Sequence, residues 1–294
     1  MTRNHTHSAI TRWAVRFAGI FFLLAGVAAG HGTHDERVEL YSAKIKRDPD
    51  DANARHELAM AYVENGDWTL AILQLDAAEK LNCPDSGLDF SVTRARAFAI
   101  GGRFKAALKT LNGYIDRNPD DATALIERAR VLTSLGERTA GLADYQKAVS
   151  HIPRATPDLC MEIAELQIKQ GQPDNALATV HRAISIHGND PVLVLKAMEM
   201  EISAGLFDEA LTHIGTMTRL MPRPEAMMAK RASVLAQAGR MAESRQAWAA
   251  LIKHIDALPN LQRGTPAISS ISKEAHLALA AGDSKSSAQT SSVH

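Results

Sequence analysis

Asn65-Gly66-Asp67-Trp68-Thr69-Leu70-Ala71 reads as the stop of one helix followed at once by the start of another. Gly66 permits the left-handed residue that ends a helix. The aromatic and small residues behind it open the next. The same device returns at Gly102-Arg103-Phe104-Lys105-Ala106-Ala107 and at Gly136-Glu137-Arg138-Thr139-Ala140-Gly141. Three further copies begin at Gly171, Gly205 and Gly239, so the six glycines stand 36, 34, 35, 34 and 34 residues apart. A fixed period of that length means stacked units, none of which can bury its apolar face alone.

The first unit, Ala52–Asp85, shows how each copy is built. Its first helix carries Leu58, Ala59 and Tyr62, its second Ala71, Leu75 and Ala78, and Pro84 punctuates the exit. These are helical spacings of three and four residues, which place each set on one buried stripe. Small alanines where the stripes meet let the two helices approach closely. Asp50-Asp51 and Asp120-Asp121 stand where side-chain oxygens can cap the helices that follow.

Counted from each turn glycine, the pattern resembles the tetratricopeptide repeat. That repeat has a small residue seven positions before the glycine and an aromatic two after it. Alanines follow five and twelve positions after the glycine, and a proline seventeen after it. The first unit supplies Ala59, Gly66, Trp68, Ala71 and Ala78; the second supplies Ala95, Gly102, Phe104, Ala107 and Pro119. The third has Ala129, Gly136, Ala148 and Pro153, with Gly141 in place of an alanine. The fourth keeps Ala164, Gly171, Ala176 and Ala183, and the fifth Gly205, Phe207, Ala210 and Pro222. The sixth retains Ala232 and Gly239 but puts Ser244, Trp248 and Leu251 on its second helix. The tryptophan that the repeat usually carries early in its first helix is missing from every unit, and units four to six are degenerate. The resemblance covers residues 34–282. It implies an all-α, right-handed solenoid of about six helix-turn-helix repeats with capping helices at both ends.

The flanks fit that architecture. Val38, Tyr41 and Ile45 share one face of a lone helix ahead of the first unit, which Pro49 closes. Thr265-Pro266 is an N-cap followed by proline at the first helical position. Ile268, Ile271, Ala275 and Leu279 then form a stripe that ends before Gly282. Beyond it, Asp283-Ser-Lys-Ser-Ser-Ala-Gln-Thr-Ser-Ser-Val-His294 has too little apolar surface to fold. The chain is thus divided into a signal peptide (1–29), a linker and capping helix (30–51) and an array (52–258). A loop and second capping helix (259–282) and a disordered tail (283–294) complete it. The six units begin near 52, 88, 122, 157, 191 and 225.

At the N-terminus, Arg3, Arg12 and Arg16 precede the apolar run Phe17–Ala29, and Val27-Ala28-Ala29 supplies the small residues of a cleavage site. Thirteen or so apolar residues fall short of the roughly 20 needed to cross a bilayer. The expectation is an exported chain, periplasmic or secreted after cleavage near Ala29, with no membrane span in the mature protein. Cys83 closes the first unit and Cys160 lies in the first helix of the fourth. Two intervening units hold them beyond bridging distance, so no intramolecular disulfide is expected.

Charge and motif content narrow the function. The formal net charge is zero, and removing residues 1–30 leaves 30 basic against 33 acidic side chains. That balance gives no basic excess for nucleic acid. Nucleotide-binding glycine loops, paired zinc cysteines, His-Glu-x-x-His and Gly-x-Ser-x-Gly are all missing, and neither catalysis nor a cofactor is expected.

The resemblance implies that first-helix residues face a groove that binds a protein or peptide. His56 and Met60 stand there in the first unit, and Arg96, Arg130, Glu165, Glu199 and Ser233 occupy the position of Met60 in the later ones. The groove would be basic in units two and three and acidic in four and five, able to orient an extended peptide by charge. The competing reading pairs Arg130 with Glu165 across adjacent units and makes both structural. Chaperone-binding members carry Lys and Asn where His56 and Met60 stand, so that specificity is not implied.

Three other features complete the reading. His31-Gly-Thr-His34 lies near the mature end, where an amine, amides and imidazole can hold Cu(II) in a square plane, which makes an exported copper-handling protein the alternative function. His181, His187 and His213 read as scattered surface residues. The methionines gathered in units five and six, among them Met198, Met217 and Met241, read mainly as core filling.

Overall fold

The computed structural model describes residues 34–81 and 89–290, with side chains described from Asp35 as far as Ala281. All the elements among the described residues are helices. Helix α1 (His34–Arg47) packs on α2, in front of the first unit. The units are α2/α3 (Ala52–Asn65, Trp68–Lys80), α4/α5 (Ser91–Ile100, Phe104–Ile115) and α6/α7 (Ala122–Ser134, Arg138–Ser150). They continue as α8/α9 (Pro157–Lys169, Pro173–His187), α10/α11 (Pro191–Ala204, Phe207–Leu220) and α12/α13 (Glu225–Gln237, Met241–Asp256). A single turn, α14 (Asn260–Arg263), leads into α15 (Pro266–Thr290).

Each pair is made by the same turn. All six register glycines have positive φ, from 69° at Gly102 to 86° at Gly66. At Gly66 the amide donates to the carbonyl of Val63 and the Asp67 amide to that of Tyr62, which satisfies two carbonyls left open by the ending helix. Helix α3 then begins at Trp68, with no room for a loop. The side chains of Asp51 and Asp121 cap the starts of α2 and α6 through the Ala54 and Ala124 amides, at 2.8 and 3.0 Å.

What the turn brings together is a seam of small residues. Ala59, Ala95, Ala129, Ala164 and Ala232 on the first helices are completely buried, as are Ala71, Ala107, Ala176 and Ala210 on the second. Behind the seam sits one large core residue per unit, nine positions after the glycine: Leu75, Leu111, Tyr145, Val180, Ile214 and Trp248. In unit three Gly141 replaces the second-helix alanine because a β-carbon there would sit 2.9 Å from Thr133 Oγ1 and 3.0 Å from the Ala129 carbonyl. Methionine fills the degenerate end: Met198 takes the seam position in unit five and Met217 is buried, whereas Met241 is exposed.

Neighbouring units interlock through aromatic and capping contacts. The ring of Trp68 lies flat against Gly101, where a β-carbon would come within 2.7 Å of it, and the Arg103 guanidinium stands 5.3 Å over the same ring. Unit one therefore uses the glycine pair Gly101-Gly102 of unit two both as a turn and as a docking floor. Cys160 is a free, buried thiol whose pKa is raised by burial; Cys83 and Pro84 lie outside the described residues.

The C-terminal end departs from the expectation. The apolar stripe predicts a helix that ends before Gly282, with a disordered tail, but the backbone remains helical to Thr290. The residues after Gly282 include no proline, and a glycine inside a helix costs only about 1 kcal/mol relative to alanine.

Two glycine substitutions separate these roles. Gly66→Ala meets no neighbouring atom and pays only for its left-handed backbone, so it should cost about 1–2 kcal/mol. Gly101→Ala must displace the Trp68 ring and should cost about 1–3 kcal/mol. Pairing Gly101→Ala with Trp68→Leu should then cost less than the sum of the single changes in thermal unfolding; strict additivity would show that the ring does not rest on Gly101.

Candidate functional site

The two rows of helices differ in how tightly they meet. Helix α2 touches α4, α4 touches α6, and α8 touches α10, whereas direct contact of that extent among the second helices is absent from the described residues. In a curved stack the more crowded row is the inner one. The first helices therefore line the concave face, and their outward-pointing residues form the groove.

A recess of about 330 Å³ opens on that face across units one to three. Val63, Ala99, Ile100, Phe104 and Val131 supply apolar surface, and Glu64, Arg96 and Arg130 stand around it. Ile100 is 47% exposed, which is unusual for a β-branched side chain with buried neighbours on the same helix.

The arginines of this recess do not stand alone. Arg96 Nε donates to Glu127 Oε1 at 2.7 Å, and Arg130 donates to the same oxygen at 2.9 Å. Arg130 also grips Glu162 with two bonds of 2.8 and 2.9 Å, and the Tyr145 hydroxyl donates to Glu162 at 2.8 Å. The competing reading, which pairs Arg130 with Glu165, thus names a carboxylate one turn of α8 away from the one that Arg130 meets. Glu162 points at α6, and Glu165 remains exposed. Two arginines and two carboxylates leave the network neutral, so the basic half of the groove is compensated on the protein itself. Burial alone would raise the Glu162 carboxyl, but the bonds from Arg130 and Tyr145 outweigh it and hold its pKa below the ordinary value. Tyr145 is pushed well above the ordinary tyrosine value by burial and by its bond to Glu162. This network spans the junction of units three and four, where α7 and α8 meet least extensively among the junctions between successive units.

The other expected groove residues divide in the same way. His56 is consumed by packing: its Nε2 lies 2.8 Å from Thr93 Oγ1, and its ring meets Phe90 edge-on at 5.1 Å. It joins α2 to α4, and burial lowers its pKa from 6.5. Met60 and Ser233 are half-buried, and Glu199 is exposed. His31 lies outside the described residues; His34 opens α1.

A second polar cluster was missed. His181 and His213 are brought to one carboxylate: His181 Nε2 lies 2.7 Å from Glu201 Oε1, and His213 Nδ1 lies 2.8 Å from Oε2. They are not scattered, because α9 and α11 flank α10 across a unit boundary. His187 is also engaged, its Nε2 2.6 Å from the Ala155 carbonyl. A signal was present in the repeat. Four residues before each turn glycine stand Tyr62, Phe98, Leu132, Gln167, Glu201 and Leu235, and a carboxylate is out of place in that column.

Helix pairs repeating every 34–36 residues, joined by left-handed glycine turns and open along a concave face, define an α-solenoid. A tetratricopeptide-repeat family model matches residues 28–86 and 92–159, and the same helix-pair geometry continues through α13. Proteins of this family act as protein–protein interaction scaffolds and are generally non-catalytic. Human Superkiller complex protein 3 is 31% identical over 152 residues, 49% of this chain, and the match spans 9% of that protein's length. Among solved structures, a thermophilic tetratricopeptide-repeat protein from Thermus thermophilus is 22% identical, with a TM-score of 0.48, over 57% of this chain and 90% of that one. A tetratricopeptide-repeat protein from Parabacteroides merdae is 19% identical, also with a TM-score of 0.48, over 82% of this chain and 87% of that one. No helix among the described residues is long and apolar enough to cross a membrane.

Two measurements test the site's wiring. Arg130→Gln removes the charged clamp on Glu162 and should lower stability by about 1–3 kcal/mol, while Tyr145→Phe should cost about 1 kcal/mol. An unchanged thermal midpoint in Arg130→Gln would show that the network is not structural. For His56, the folded state disfavours the charged imidazole, so its contribution is present above the unfolded pKa of about 6.5 and is lost as pH falls through the lower folded value. The stability advantage of the native chain over His56→Gln should therefore shrink from pH 7.5 to pH 5; a gap that widens on acidification would reverse the assignment.

Proposed function

We propose that the chain is a non-catalytic binding scaffold that takes an extended peptide or a segment of a partner protein across the first helices of units one to three. The observation that carries this reading is the concave recess centred on exposed Ile100 and flanked by Arg96 and Arg130, whose side chains are 41% and 43% exposed despite their ion pairs. An apolar partner side chain would fill the floor, and an acidic group beside it would share Arg96, which has a single carboxylate partner among the described residues. Beyond the recess, exposed Glu165 and Glu199 extend the inner face as an acidic track suited to a basic stretch of the same ligand.

The working location we propose is the cell envelope after export, which the basic start and the Phe17–Ala29 apolar run support. A photo-reactive phenylalanine analogue at Ile100 should yield a discrete adduct in the envelope fraction of intact cells. The same probe at Leu73, exposed on a second helix, should not. Arg96→Glu should abolish the Ile100 adduct without changing the fold seen by circular dichroism. Equal adducts from both positions, or an adduct indifferent to Arg96→Glu, would refute the groove as the binding face.

A further inference from the structure

We propose that His181, Glu201 and His213 form a binding site for one zinc-class divalent cation at the junction of units four and five. One atom from each residue lies within 4.8 Å of the other two, and the three come from consecutive helices α9, α10 and α11. Two imidazole nitrogens and one carboxylate oxygen are the donors that borderline divalent ions prefer, and three protein ligands leave a fourth position open to water.

The repeat supplies an internal control. At the place of Glu201, units one, two, three and six carry Tyr62, Phe98, Leu132 and Leu235, so the fold does not need a charge there. Unit four carries Gln167, bonded at 2.9 Å to Thr179, which occupies the same second-helix position as His213. Unit five alone puts a carboxylate in this column, buried to 0% exposure, and places imidazoles from two helices on its two oxygens. A buried carboxylate is costly unless its charge is answered.

The geometry suits an ion with small movements. Zinc binds nitrogen at about 2.0–2.1 Å and carboxylate oxygen at about 2.0–2.2 Å, which sets tetrahedral donors roughly 3.4 Å apart. The histidine–carboxylate separations of 2.7 and 2.8 Å would widen and the two nitrogens would close in. Each imidazole would turn a lone pair, in place of its N–H, toward the centre. The His181 side chain is 42% exposed, which leaves an entry path, while that of His213 is 19% exposed and that of Glu201 is inaccessible. A bound ion would clip α9 of unit four to both helices of unit five.

The test is calorimetric titration of the untagged full-length chain with Zn²⁺, with thermal unfolding and Co²⁺ absorption as second readouts. The native chain and a His187→Ala control should each bind one tight equivalent, gain thermal stability and give the visible bands of a low-coordinate Co²⁺ site. His181→Ala and His213→Ala should each lose all three signals, and Glu201→Gln should lose them while keeping the carboxamide in the same space. If Glu201→Gln does not fold, the two histidine variants decide, since both side chains reach solvent. Absence of a tight equivalent in the native chain overturns the site. So does one retained in both histidine variants, which would place the metal on other histidines such as His31 and His34.

Discussion

The close approach of two helices along a seam of alanines is the contact on which everything else in this chain depends. Ala59 and Ala71 in unit one, and the alanines that hold the same places further down the stack, are completely buried because little room is left between backbones at that distance, although unit five seats Met198 there. The approach is set up by the turn before it: a left-handed glycine reverses the chain with no loop, so the first turn of the second helix lands against the last turns of the first. Gly141 shows how tight the limit is, since even a methyl group there would press on the Ala129 carbonyl. Once the pair is fixed, only a few side chains can point outward from the first helix, and those side chains make the groove.

Stacking adds a second constraint. A solenoid is held by nearest neighbours, and its weakest junction limits how far cooperativity extends. Between units one and two the junction is sealed by Trp68 on Gly101 and by His56 on Thr93 and Phe90. Between units three and four direct packing of α7 on α8 is sparse, and the tie passes through Arg130, Glu162 and Tyr145. Tyr145 is the one hydroxyl-bearing core residue in its column, and its hydroxyl reaches across the boundary to Glu162. The groove and the stack are thus made of the same residues. On the proposed binding mode, a ligand acid drawn to Arg96 or Arg130 would compete with Glu127 and Glu162, which would couple binding at the recess to the stiffness of the central junction.

Several features of the groove were legible in advance, and the reason others were not is physical. The inner face could be named because helix periodicity and the turn glycine fix which side of each first helix looks inward. Arg96 and Arg130 do stand there. Their partners could not be named. Glu162 and Glu165 lie one turn apart on the same helix, and which one meets Arg130 depends on how α8 is offset against α6. His56 shares the column logic of a groove residue but turns into the interface, because Thr93 and Phe90 offer its ring a partner.

The sequence by itself determined the repeat length, the six turns, the small-residue seam and the all-helical solenoid. Each of these is carried by residues a few positions apart, where backbone conformation and helical spacing leave one solution. Only the tertiary structure decided the shared carboxylate Glu127, the clamp on Glu162 and the convergence of His181 and His213 on Glu201. Apart from the bond of Arg130 to Glu127, three positions apart on α6, those contacts join residues 12 to 32 positions apart. Except for His213 and Glu201, which share unit five, they cross from one unit to the next. Their pairing depends on the angle and offset at which successive helices stack, and no local pattern encodes that quantity.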